Sequence, residues 1–183
     1  SIDEEITRLE EESRRDEEES KRLLEKSRDD HRRLLERSEK LLRELEKRAR
    51  DLLEDVKRKG ASKSTVEKLR EDIERVLDKL RKVHERSRRK SEEDIRRLEE
   101  VHERSKRKHE KLRRELEDVR RVSDEEMVRR VIEKYERAVE RSTEENRDAF
   151  RRSEETIREL AKENEDAIRE VKEIIDKLRE DVR

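Results

Sequence analysis

The sequence predicts an all-α fold: a long, straight antiparallel three-helix bundle, essentially untwisted, with an 18-residue structural repeat. Three observations predict it. Of 183 residues, 61% are charged and 26% hydrophobic; apolar residues recur with a helical period; and the tetrapeptide pattern Ser-x-x-Glu stands at the head of three long helical stretches. A globular domain of this length is about half apolar, so a sheet or a thick core is out of reach. Disorder needs high net charge as well as low hydrophobicity, and here 55 basic and 56 acidic residues leave a net charge of −1. Glu, Arg, Lys and Leu, all good helix formers, dominate what remains.

The helix starts are legible as capping boxes. In Ser-x-x-Glu the hydroxyl accepts from the N–H three residues on and the glutamate reaches back. Ser1 with Glu4, Ser64 with Glu67 and Ser123 with Glu126 have this form. The single glycine, Gly60, follows the basic run Lys57, Arg58, Lys59, which suits a helix C-terminus with a left-handed cap. The expected helices are residues 2–59, 65–121 and 124–182 of one domain spanning 1–183. Each is roughly 85 Å long at about 1.5 Å per residue. The short connections make neighbouring helices antiparallel.

The stripe of the first helix runs Ile2, Ile6, Leu9, Ser13, Ser20, Leu24, Ser27, His31, Leu35, Ser38, Leu42, Leu45, Ala49, Leu53, Val56. From Ile2 to Val56 is 54 residues. With Ser13 to Ser20 counted as two steps the mean is about 3.6, which calls for almost no supercoil, whereas 3.5 forces a left-handed one. Residues 83–100 (VHERSRRKSEEDIRRLEE) and 101–118 (VHERSKRKHEKLRRELED) repeat one 18-residue unit in sequence.

Polar residues set the register. Folding the second helix back around Ala61 pairs positions whose numbers sum to 122. Ser13 then faces His109, Ser20 faces His102, His31 faces Ser91 and Ser38 faces His84. All four histidines meet a serine. A sum near 248 between the second and third helices brings Asn146 to His102 and Asn164 to His84, giving the expected triads Ser20/His102/Asn146 and Ser38/His84/Asn164. The five layers nearest Gly60 are almost purely apolar.

Ser and His in one layer invite a hydrolase reading, but Asn replaces the usual acid, and no turn offers an oxyanion hole. No catalytic residue is therefore expected. His102 and His109 lie two turns apart, about 10 Å, too far for one metal ion, and HERS is not HExxH. No metal and no cofactor are expected. The reading that remains is a set of buried hydrogen-bonded layers, whose effect is to penalise wrong registers.

With no basic block and 1% aromatic residues, no nucleic-acid partner is expected. Apolar runs no longer than pairs such as Leu23-Leu24 and Leu52-Leu53 imply no membrane span. No targeting segment is visible, and without cysteine there is no disulfide.

Repeated S-x-x-E starts, equal helices, absence of Cys and Pro, and motifs such as EVHERSKRKHEKL and RDDHRRLLERSEKLL resemble computationally designed helical bundles with programmed hydrogen-bond networks. The resemblance covers the whole chain. It implies a scaffold, an oligomerising module or a switch. The first expectation is a monomeric scaffold without a small-molecule substrate. The alternative is a homo- or hetero-oligomer in which a groove between the first and third helices, widened by the leucine doublets, accepts a further helix. Histidines enclosed in their neutral form would also make stability fall with acidity.

Overall fold

The structure, a computed structural model, describes residues 1–182. It is an all-α three-helix bundle. Helix α1 spans Ile2–Arg58, α2 Lys63–Val119 and α3 Glu125–Asp181, each of 57 residues. The described residues contain no strand.

The starts differ in detail from the capping boxes expected. Ser1 does cap α1, its Oγ accepting from the Glu4 N–H at 3.3 Å. At α2 the cap is Ser62 and not Ser64: Ser62 Oγ accepts from Thr65 N–H at 3.2 Å, and Ser62 O from Val66 N–H at 3.0 Å. Starting two residues earlier adds backbone hydrogen bonds, and the Thr65 hydroxyl accepts from Ser62 in place of a glutamate. At α3 the cap is Asp124 and not Ser123, with Met127 N–H donating to Oδ1 at 3.2 Å. An ionised carboxylate is the stronger acceptor at a positively polarised helix start.

The first connection is a Schellman turn. Gly60 adopts φ 81°, its N–H donates to Lys57 O at 3.1 Å, and Ala61 N–H donates to Val56 O at 3.3 Å. No non-glycine residue has positive φ among those described. Helix α2 therefore ends differently, by tightening: Arg121 and Val122 donate back three residues to Asp118 and Val119.

Contacts divide the chain into two compact units. The first comprises residues 1–29 and 93–155. An apolar cluster of Ile6, Leu9, Leu112, Leu116, Val128, Ile132, Tyr135 and Val139 fills one part of it. Leu24, Leu98 and Phe150 form a second, smaller cluster. Arg120, near the end of α2, donates to Glu10 at 2.6 Å and to Thr7 at 2.8 Å on α1.

The second unit comprises residues 30–92 and 156–183. Leu42, Leu45, Ala49, Leu52 and Val56 of α1 pack there with Val66, Leu69, Ile73, Leu77 and Leu80 of α2 and Val171 and Ile175 of α3. This is the apolar segment expected beside Gly60, with one exchange: Leu52 is buried and Leu53 only partly so. Leu35, expected in the core stripe, is likewise half-buried.

In both units the register is the one read from polar residues. Ser13–His109 and Ser20–His102 in the first, and His31–Ser91 and Ser38–His84 in the second, are hydrogen-bonded pairs of the antiparallel helices α1 and α2. Helix α3 runs parallel to α1 at a constant offset of 126, seen at Asp16–Ser142 and Ser27–Ser153 in the first unit and Ser38–Asn164 in the second. The exposed faces carry many ion pairs between residues three or four apart, such as Arg43–Glu39 and Arg130–Glu126. Each is worth at most about 0.5 kcal/mol.

Candidate functional site

Every histidine presents Nδ1 to a serine hydroxyl: His109 to Ser13 at 2.7 Å, His102 to Ser20 at 3.0 Å, His31 to Ser91 at 2.8 Å and His84 to Ser38 at 2.9 Å. The four are not equivalent. His31 and His109 are fully buried, whereas His84 and His102, expected inside closed triads, are only half-buried.

In the first unit the polar interior converges on a residue that the sequence reading passed over, Asp16. Its side chain is 8% exposed. Oδ2 accepts from His109 Nε2 at 2.7 Å and from Ser142 Oγ at 2.9 Å, and Oδ1 accepts from Thr143 Oγ1 at 2.9 Å. Asn146 Nδ2 reaches Oδ2 at a longer 3.4 Å and donates to Ser105 Oγ at 3.3 Å. Ser105 in turn lies 3.1 Å from Ser142. Because Ser142 gives its one proton to the carboxylate, Ser105 is the donor in that pair.

The position expected for Asn146, beside His102, is thus corrected. It bonds Ser105 and Asp16 instead, drawn to the strongest acceptor in the interior. At the far side of His109, Ser13 accepts from Arg113 Nη1 at 3.2 Å, and Arg113 also pairs with Glu17 at 2.9 Å.

A second carboxylate, Asp94, lies in the same unit. Its side chain is 3% exposed, and Oδ2 accepts from Ser153 Oγ at 2.6 Å. Ser27 lies 3.2 Å from Ser153, and Arg97 covers Asp94 from the surface. The Ser153 hydroxyl thus faces both the Asp94 carboxylate and Ser27 Oγ, with the shorter contact to the carboxylate.

In the second unit the triad Ser38/His84/Asn164 forms around Ser38. Ser38 Oγ donates to Asn164 Oδ1 at 2.9 Å; Asn164 Nδ2 donates to Ser87 Oγ and to Leu160 O, both at 2.7 Å; Ser87 Oγ donates to Val83 O at 3.0 Å. Among the described residues no buried side-chain nitrogen or oxygen lacks a partner.

Burial opposes ionisation of Asp16, but hydrogen bonds from His109, Thr143 and Ser142 and the field of His109 outweigh it, so its carboxyl titrates below its ordinary value. The sign follows from linkage. A lowered folded pKa contributes stability that is complete above the unfolded value of about 3.9 and is lost as pH falls through the folded one. Melting temperature should therefore decline below about pH 4 more steeply in the native chain than in Asp16→Asn. Parallel declines would remove Asp16 from the acid response.

Ser13, His109 and Asp16 form a hydrogen-bonded series of the types found in serine hydrolases, with the ring reversed: Nδ1 faces the serine and Nε2 the acid. Ser13 is 0% exposed, and its helical setting commits the neighbouring backbone N–H groups to the helix. Among the described residues, no group of three or more His, Asp or Glu is placed to hold a metal ion. Among the described residues no helix is long and apolar enough to cross a membrane.

Nothing matches this chain. That holds for protein-family models, curated proteins and solved structures alike.

Proposed function

We propose that the chain is a designed structural scaffold, and that its buried Ser, His, Asn and Asp networks fix which helix faces meet. One observation carries the reading: four histidines on two helices each meet a serine on a neighbouring helix under a single register. Net contributions of about 0.5–1.5 kcal/mol per hydrogen bond are modest, while a buried group left unpaired costs about 1–3 kcal/mol. The networks therefore act less by stabilising the right arrangement than by raising the energy of the others.

The test replaces whole layers with apolar residues, for example Ser13, Asp16, His109 and Ser142 together. The expected variant keeps its helicity and melts no lower, yet loses its single state: methyl NMR lines broaden and multiply, or mixed masses appear. A layer-less variant as monodisperse and as sharp in NMR as the native chain would defeat the proposal.

A second reading, an interaction module, rests on a specific groove. Between α1 and α3 of the second unit a cavity of about 180 Å³ is lined by Leu34, Leu41, Ile157, Ala161 and Ile168, all half-buried. Light scattering on the native chain separates the readings: a mass of 22.6 kDa supports the lone scaffold, and a multiple of it supports self-assembly through such a face.

A further inference from the structure

We propose that His84 is a site of acyl transfer, accepting acyl groups at Nε2 from activated esters and pyrocarbonates. The two ring nitrogens are not engaged alike in the four histidines. His109 uses both, on Ser13 and Asp16, and His31 is 0% exposed. His84 and His102 are half-buried, and each is hydrogen-bonded through Nδ1 alone. Since no buried side-chain nitrogen lacks a partner among the described residues, Nε2 of these two rings is reached by solvent.

His84 differs from His102 in that its tautomer is determined. Asn164 donates through Nδ2 to the Leu160 carbonyl, which can only accept, so its Oδ1 is the atom facing Ser38. Ser38 gives its single proton to that oxygen. Nothing is left for Ser38 to donate to His84, so His84 Nδ1 carries the proton and donates it to Ser38 Oγ. In the neutral ring Nε2 is then a bare lone pair directed at solvent, the form of imidazole that attacks carbonyl carbon. Ser20 has no such second acceptor, so His102 divides between two tautomers, one of them unreactive at Nε2.

The reaction balances without a further reagent. The Nε2 lone pair adds to the acyl carbon, the bond to the leaving oxygen breaks, and an aryl oxide departs. The ring remains as an acylimidazolium with its proton on Nδ1, still donated to Ser38. Water then adds to the same carbon, the C–N bond breaks, and the acid, a neutral imidazole and one proton are released. That proton neutralises the aryl oxide.

The test treats the native chain with diethyl pyrocarbonate at mildly acidic pH, where lysine ammonium groups are protonated. Adducts that hydroxylamine reverses are then mapped by mass spectrometry. His84 should react first, about twofold faster than His102, the factor expected when one of two evenly populated tautomers is unreactive at Nε2. His31 and His109 should react only on unfolding. Hydrolysis of an aryl acetate should fall by more than half in His84→Gln and less in His102→Gln. Long-range ¹H–¹⁵N NMR of the unmodified chain reads the tautomer independently of any substitution. Equal or faster reaction at His102, or an Nε2-protonated His84, would overturn the proposal.

Discussion

Replacing Asp16 with alanine lowers the melting temperature by roughly 6–12 °C, a cost of about 3 kcal/mol converted at about 2–4 °C per kcal/mol for a chain of this size. The magnitude comes from what the substitution leaves behind. His109 Nε2, Ser142 and Thr143 all donate to this one carboxylate, and His109 and Ser142 are buried. Removing the acceptor takes a charged partner from all three where water does not replace it. His109 Nε2 and Ser142 keep each other at 3.1 Å and Thr143 keeps the Val139 carbonyl at 3.0 Å, but Ser142 then has only one proton and two neighbours to satisfy. A double variant, Asp16→Ala with His109→Phe, removes donor and acceptor together and should cost well below the sum of the two single costs. Thermal melts followed by circular dichroism give all four corners of the cycle. A single-variant cost below about 1 kcal/mol, the worth of an exposed ion pair, would show that the hub is solvated.

The second large effect is at Phe150. By position along the three helices it lies with Leu24 and Leu98 between the Asp16 network and the Ser27/Asp94/Ser153 network. Truncating a buried phenylalanine to alanine costs about 3–5 kcal/mol, and here the surroundings sharpen the loss. A void flanked by hydroxyls and carboxylates invites water, which competes for the very donors that hold the helices in register. Phe150→Ala should therefore lose hydrogen-exchange protection at amides around Leu24 and Leu98 before it loses overall helicity. Phe150→Leu, which keeps most of the volume, should recover the greater part of both. Equal damage from the two substitutions would mean that the ring itself, not the filled space, is what matters.

Much of this interior was legible in the sequence because its signals are periodic. Three helices, the apolar segment near Gly60, the offset between strands of the polar ladder, and all four His–Ser pairs follow from residue spacing. Asp16 escaped for an instructive reason. The stripe of α1 steps from Ser13 directly to Ser20, two turns, and a 3.6-residue period demands an inward position between them. Among so many surface carboxylates, one at that position was assigned to solvent by its type. Asp94 left no such gap, because Ile95 already fills the step between Ser91 and Leu98. The vacancy in the stripe of α1, read as a requirement rather than an omission, would have located Asp16.

The caps of α2 and α3, unlike that of α1, differ on a smaller scale. Ser62 and Ser64, or Ser123 and Asp124, compete within one or two residues, and the winner depends on how the preceding turn delivers the chain. At the first connection that turn is the Schellman motif at Gly60, which pattern alone does not place against the next helix.

The hydrogen bonds that end on Asp16 also impose an order on protons. From Asn146 through Ser105 and Ser142 every donor points toward the carboxylate, so each hydroxyl rotor has one permitted setting. Turning any one of them back sets two hydrogens face to face, and the fault is repaired only by turning its neighbours as well. The rotors are ordered collectively, like dipoles aligned by a field, and the aligning field is the charge on a single oxygen pair. Neutralising Asp16 removes a charge and, with it, the reason for the whole row to keep its direction.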